Sequence, residues 1–446
     1  MIMDKDMTKV GFISLGCSKN LVDTEVMLRT LHDAGFEITP DETEAEIIIV
    51  NTCGFIESAK QESIDNILDV AKLKEWGKCR YIIATGCLVE RYREEVMREM
   101  PEIDALLGVG SISHIADACR AVMSGEKYTS FEDKNKSKLG GDRILTTDEH
   151  TAYLKIAEGC DNRCTYCAIP LIRGGLRSRA IEDIVNEAKD LENLGVKELN
   201  LIAQDTTRYG LDIYGEYSLA RLVREICKNT NIPWIRLLYC YPDKITDELI
   251  DELKNNERLV KYMDIPIQHI SDSMLSRMNR HGSSELIKQT VSKLRESVPG
   301  IVLRTTAMVG FPGETDDDFV TLCEYIKEAK FDRFGAFTYS DEEGTAAFDY
   351  TPKVDEQTKQ DRYDIIMQTQ LTVTEELNAF KIGKTYTVLC DGFDTVAEVY
   401  YGRTYEDAPD VDGRVYFTSK KKTAPGEFVQ VLITEALDYD LVGVRN

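Results

Sequence analysis

No stretch of this 446-residue chain holds about 18 uncharged apolar residues in a row, the length a bilayer asks of a spanning helix. Met1 to Lys9 carry no apolar segment ahead of the first strand. These two absences argue against a membrane protein and a secreted one, so a cytoplasmic location with no membrane partner is expected. Basic residues are also scarce: 54 Lys+Arg stand against 78 Asp+Glu, a net charge of −24. Such a chain repels a phosphate backbone and attracts a basic partner, which makes a basic protein a more natural substrate than free RNA. The alternative is that the acidity serves solubility alone. With 43% apolar and 30% charged residues the chain is neither disordered nor membranous, and its length exceeds one ordinary core, so two or three domains are expected.

What the chain does have is 12 cysteines. In a reducing compartment these are unlikely disulfides; grouped ones point to metal and scattered ones to core packing. Six fall into two sets of three. Cys160, Cys164 and Cys167 lie within eight residues, whereas Cys17, Cys53 and Cys87 are 36 and 34 residues apart. Iron in a tetrahedral sulfur environment takes four ligands, so a cluster given three thiolates keeps one iron open for chemistry. A structural zinc site is the alternative for the compact set, but paired Cys-x2-Cys knuckles and a nearby fourth ligand are missing, and His150 and His269 are remote in sequence. Cys79, Cys119, Cys227, Cys240, Cys323 and Cys390 sit mostly in apolar contexts and read as core residues, with Cys240, at a strand end, the one to watch.

From about residue 8 to 125, short apolar runs (Val10 to Leu15, Glu46 to Asn51, Tyr81 to Thr85, Ala105 to Val109) alternate with helical periodicity. This pattern predicts a doubly wound parallel sheet, whose ligands bind outside the C-terminal ends of the strands. Cys17, Cys53 and Cys87 each follow a strand by two residues in this reading, so three strands deliver three thiols to one edge. Burial in a core is the alternative for any single one of them. The polar, glycine-containing stretch that follows, without periodicity, predicts a linker or mobile connection.

A second βα series runs from about 150 to 375, with strands at Tyr153 to Ile156, Glu198 to Ala203, Trp234 to Tyr239, Tyr262 to Ile265, Ile301 to Val309 and Phe334 to Thr338. Units of this size close into a full or partial barrel whose active site lies at the C-terminal mouth of the strands, and the compact cysteine set follows the first of them. From Lys384 onward, four β-rich runs with turn glycines predict a small β-barrel. Residues 381–446 carry 8 Lys+Arg against 11 Asp+Glu, a net −3 and the wrong sign for binding phosphates.

Cys-x3-Cys-x2-Cys with Tyr166 before its last cysteine resembles the signature of radical S-adenosylmethionine enzymes. The resemblance implies a 4Fe-4S cluster on Cys160, Cys164 and Cys167, whose open iron chelates the cofactor; an electron then cleaves the sulfonium and yields a 5′-deoxyadenosyl radical. By position, Gln204, Asp205 and the stretch Met308 to Glu314, with Gly310 and Gly313, resemble the family's cofactor-binding loops, although each alone also reads as a turn. Arg173, Arg177 and Arg179 form a basic cluster that either holds a carboxylate of cofactor or substrate, Arg177 being the cofactor candidate, or makes surface ion pairs.

Taken in order, the three segments resemble the methylthiotransferases. Ser14 to Glu25, Asn51 to Ile56 and Gly402 to Pro409 look most like the branch that modifies an aspartate of small-subunit ribosomal protein twelve. The expected fold is therefore α/β: an N-terminal cluster domain (1–125) with a doubly wound parallel sheet, a linker (126–143), a partial (β/α) barrel of the radical S-adenosylmethionine type (144–378) and a TRAM-like β-barrel (379–446). The resemblance also implies a second 4Fe-4S cluster on Cys17, Cys53 and Cys87 that presents sulfur, S-adenosylmethionine as cofactor, no acid–base side chain as catalyst, an electron donor such as flavodoxin or ferredoxin, and a monomer. A hydrogen on an aspartate β-carbon is too weakly acidic for a side-chain base, which is why radical chemistry suits this reaction. Two alternatives stay open: the same enzyme acting on a tRNA adenosine, and an iron–sulfur factor that binds ribosome or RNA without catalysis.

Overall fold

Ile47–Thr52 is buried along its whole length, as a parallel strand covered on both faces must be. In the computed structural model, which describes residues 7–446, this segment is the centre of a six-stranded sheet. The strands are β1 (Lys9–Ser14), β2 (Glu37–Ile38), β3 (Ile47–Thr52), β4 (Tyr81–Gly86), β5 (Ala105–Leu107) and β6 (Tyr128–Ser130), in the order β2-β1-β3-β4-β5-β6, with every adjacent pair parallel. Alternation along β3 sorts the two cores. Ile48 and Val50 pack with Ile67, Val70 and Leu73 of helix Glu57–Trp76. Ile47 and Ile49 pack instead with Met27 and Leu31 of helix Ser18–Asp33 and with Ala118 and Val122 of helix Ile115–Met123. Each buried Ile, Val, Leu or Met among them contributes about 1.5–3 kcal/mol.

Several features depart from the sequence reading. The segment expected as a linker, 126–143, contains β6, which pairs with β5. The Glu132 N–H donates to Ser111 Oγ at 2.8 Å and Ile144 N–H to the Glu25 carbonyl at 3.1 Å, so this stretch is held against the sheet. Three strand residues are too few to show a period, which is why it reads as loop. The cysteine spacing also differs: Cys17 stands three residues past β1, while Cys53 and Cys87 follow β3 and β4 immediately. Of the N-terminal segment Met1 to Lys9, residues 1–6 lie outside the described residues.

Next come β7 (Thr151–Lys155), an antiparallel pair of β8 (Ala157–Glu158) and β9 (Arg177–Ser178), and then β10 (Glu198–Ile202), β11 (Trp234–Leu237), β12 (Leu259–Asp264), β13 (Val302–Val309) and β14 (Arg333–Thr338). β7 and β10 to β14 form a second six-stranded sheet in the order β14-β13-β12-β11-β10-β7, the partial barrel expected. Helices including Ile181–Asn193, Asp247–Asn255 and Asp316–Ala329 connect its strands. The last segment closes into a five-stranded barrel of β15 (Thr385–Asp394), β16 (Val399–Arg403), β17 (Val415–Thr418), β18 (Phe428–Ala436) and β19 (Leu441–Arg445). β19 was not anticipated; it is five residues long with a glycine at its centre.

Contacts gather the chain into two compact units. The first contains residues 7–146 together with Lys155–Arg179 and Ser340–Phe348; the second contains the rest. The loop bearing Cys160, Cys164 and Cys167 thus belongs with the first sheet, although its sequence position lies within the barrel. Inside the second unit, the β-barrel is anchored at the N-terminal ends of the sheet strands. Arg403 pairs with Glu198, Arg333 pairs with Asp407, and Trp234 meets Phe428 edge-on at 4.9 Å. No helix among the described residues is long and apolar enough to cross a membrane.

Candidate metal centres

The strand order reverses between β1 and β3, so the crevice of the first sheet lies at their C-terminal ends, where Cys17 and Cys53 stand. Two glycines close the distance between the three loops. A Cβ on Gly16 would lie 2.8 Å from the Cβ of Cys53 and 2.9 Å from its sulfur, and one on Gly54 would lie 2.6 Å from the Cα of Leu88. Residues flanking Cys17 and Cys53 are therefore seated against Cys53 and against the residue after Cys87, at separations no larger side chain permits. Asn20 fixes the same place by donating to the carbonyls of Leu15 (2.7 Å) and Thr52 (3.2 Å), while the Cys53 N–H donates to Ser63 Oγ at 2.9 Å.

Cys17 is exposed, and Cys53 and Cys87 are buried. Burial raises the Cys53 thiol above its ordinary range and pushes Cys87 up to about 12, with neighbouring Arg173 opposing the rise. A thiol held that high stays protonated near neutral pH, and a metal cation bound there would displace its proton.

Cys160, Cys164 and Cys167 are half-buried. The Cys167 N–H donates to the Cys164 carbonyl (3.1 Å) and the Cys160 N–H to the Gly174 carbonyl (3.1 Å), which folds the loop into a tight turn; Arg163 adopts the left-handed φ of 53°. Just past the last cysteine, Ala168 and Ile172 pack against Cys87 and Val109. The helix Ile169–Arg173 that follows ends in a buried charge cluster. Arg173 bonds Asp23 (2.5 Å) and Glu158 (3.2 Å), and Lys155 pairs with Asp23 and, at 2.8 Å, with Glu158. Burial pulls the Lys155 ammonium down, but the two carboxylates outweigh it and leave it above its ordinary value. Of the three arginines read as a possible set of surface pairs, Arg173 and Arg179 are instead buried, and Arg179 donates to the Lys155 carbonyl at 2.8 Å. Arg177 is half-buried and donates to the Ser137 carbonyl at 2.8 Å. Tyr166 is half-buried between Cys164 and Cys167.

The remaining candidates stand in the second unit. Gln204 is half-buried past β10; Asp205 is buried and accepts from the Thr207 N–H (3.0 Å) and Arg208 Nε (3.1 Å), which makes it the cap of its own turn. Gly310 and Gly313 have φ of 74° and 85°, and the space their missing side chains leave is filled by Lys359 and Arg277. Glu314, beside them, is fully buried between His269 (3.1 Å) and Arg362 (2.8 Å). Cys79, Cys119, Cys240 and Cys390 are buried, as core residues should be, with Cys240 3.4 Å from Thr206 Oγ; Cys227 and Cys323 are half-buried. Sequence reasoning passed over Asp23 and Glu158 as partners of Arg173, and Lys155 as the second cation they hold, because charges of one cluster lie up to 150 residues apart. It also passed over Gly16 and Gly54, whose signal was their place next to cysteine.

Residues 9–108 match the family described as Uncharacterized protein family UPF0004, residues 154–326 the Radical SAM superfamily and residues 382–445 the TRAM domain. Over its length the chain is similar to the ribosomal protein uS12 methylthiotransferase RimO of Thermoanaerobacter sp. (strain X514), at 49% identity over 98% of this chain and 100% of that one. The protein of the same description from Clostridium perfringens (strain 13 / Type A) is 51% identical, covering 98% of each. Among solved structures, the radical S-adenosylmethionine methyltransferase TsrM from Kitasatospora setae shares the fold with a TM-score of 0.56 at 15% identity, over 74% of this chain and 72% of that one. The cobalamin-dependent S-adenosylmethionine radical enzyme OxsB aligns with a TM-score of 0.51 at 12% identity, over 83% and 56%.

Proposed function

The chain belongs to the family of ribosomal protein uS12 methylthiotransferases, and on that premise we propose that it replaces a hydrogen on the β-carbon of an aspartate in small-subunit ribosomal protein twelve by a methylthio group. The observation that carries this reading is two sets of three cysteines gathered in one compact unit, in a chain about half identical along its length to proteins of that name. Cys17, Cys53 and Cys87 would hold one 4Fe-4S cluster, and Cys160, Cys164 and Cys167 the other. Bound there, the clusters supply the electron that cleaves S-adenosylmethionine and a site for the sulfur to be transferred.

The chain's own part is to bind, orient and exclude water. Gly16 and Gly54 draw the first three thiols together, and the turn at Cys164 and Cys167 does so for the second three. Tyr166, Gln204, Gly310, Gly313 and Arg177 are the cofactor contacts of this reading; Asp205, engaged by Thr207 and Arg208, would order its strand end. A net charge of −24 suits a basic substrate protein. An electron donor such as flavodoxin or ferredoxin, a monomeric state and a cytoplasmic location complete the reading.

The test is to compare ribosomal protein twelve and tRNA from cells with and without this chain by mass spectrometry. Loss of the methylthio group from the ribosomal protein alone is the expected result. Loss from a tRNA adenosine alone would move the substrate to tRNA.

A further inference from the structure

A side chain that donates to the sulfur of Cys87 comes from the element that follows the other cysteine set. Arg173 lies six residues beyond Cys167, at the end of a helix pinned by Ala168 and Ile172 against Cys87. Its Nη2 donates to Cys87 Sγ at 3.4 Å and to Asn20 Oδ1 at 2.9 Å, while its Nη1 serves Asp23 and Glu158. Four acceptors on three separate stretches of chain surround one guanidinium whose side chain is 4% exposed. A planar fork with five donors can meet that geometry; a lysine ammonium with three cannot.

The charges give the sulfur contact its meaning. Asp23 and Glu158 are matched by Lys155 and Arg173, so the cluster is balanced while Cys87 is a thiol. A thiolate at Cys87 would bring a third anion, with Arg173 its direct partner. Hydrogen bonds to ligand sulfur favour the more negative, reduced state of an iron–sulfur cluster, and so raise its reduction potential.

Resting on the reading that Cys17, Cys53 and Cys87 hold a cluster, we propose that Arg173 is a positioning residue of that centre: its hydrogen bond to Cys87 Sγ sets the cluster's reduction potential. It also ties that potential to the seating of the loop that carries Cys160, Cys164 and Cys167.

The test uses the full chain with Cys160, Cys164 and Cys167 all replaced by Ala, so that one cluster is titrated. Arg173→Lys, which keeps the charge, and Arg173→Met, which removes it, are compared with this background for iron content, for midpoint potential by electron paramagnetic resonance and for Fe–S(Cys) stretching by resonance Raman. Both variants should move the midpoint to more negative values, Met further than Lys, and raise the stretching frequency. Iron retained with potential and stretch unchanged would overturn the proposal. So would loss of iron in both variants, which would assign Arg173 to scaffold integrity. Absence of any cluster in the background chain would overturn the ligand assignment itself, an outcome distinct from either.

Discussion

Cys160, Cys164 and Cys167 are brought together by eight residues of loop, whereas Cys17, Cys53 and Cys87 need β1, β3 and β4 paired in register before they meet. The first set is local and half-buried; the second depends on long-range contacts and grades from exposed Cys17 to buried Cys87. The difference shows what a centre built on each set would rely on. A loop set tolerates change elsewhere as long as its turn survives. A sheet-edge set inherits the stability of the whole sheet and the close fit of its glycines.

The largest effect separates the two centres by function. Cys164→Ala should abolish cleavage of S-adenosylmethionine, whereas Cys53→Ala should leave cleavage intact and stop methylthio transfer, read by chromatography of the cofactor products and the mass of the peptide. Methylthiolated product from the Cys53 variant would erase the division of labour.

Next in size is Gly54→Ala. A methyl group 2.6 Å from the Leu88 backbone forces the Cys53 and Cys87 loops apart, at about 1–3 kcal/mol for overpacking. Iron content measured with the other three cysteines replaced should fall severely, while the converse background, lacking Cys17, Cys53 and Cys87, should keep its iron. Equal losses in both would end the contrast between local and sheet-built centres.

A smaller effect concerns access. In the metal-free chain, iodoacetamide followed by peptide mapping should label Cys17 first and Cys53 and Cys87 far more slowly. Cys160, Cys164 and Cys167, all half-buried, should react at rates close to one another.

The smallest effect is on pH. Burial in the first sheet's cores raises Cys79 to about 11 and Cys119 to about 12. Both thiols stay neutral in the fold but ionise in the unfolded chain near their ordinary value of about 8.5. The unfolded state thus binds fewer protons above that point, and stability is lost as pH rises from there toward the folded values. Urea melts of metal-free protein should show a fall of about 1–2 kcal/mol per thiol between pH 7 and 10, reduced in Cys119→Ala.

The sequence made the sheets, the partial barrel and both cysteine sets legible because each rests on a repeated local pattern: apolar runs of strand length, helical periodicity between them, and cysteine recurring at strand ends. It hid β2, β6, β8 and β9, two or three residues each and too short for a period, it hid β19, interrupted by Gly443, and it hid that the second cysteine loop packs with the first sheet. It hid the cluster of Asp23, Lys155, Glu158 and Arg173 for a different reason. Buried charges are satisfied in three dimensions, and nothing along the chain marks Asp23 as the partner of an arginine 150 residues away.

The most direct measurement is to reconstitute the protein with iron and sulfide under anaerobic conditions, reduce it with S-adenosylmethionine and a peptide of ribosomal protein twelve bearing the target aspartate, and weigh the peptide. The account predicts a gain of one methylthio group in place of hydrogen. Cofactor cleavage with the peptide unchanged, and the same gain on a tRNA adenosine instead, would contradict it.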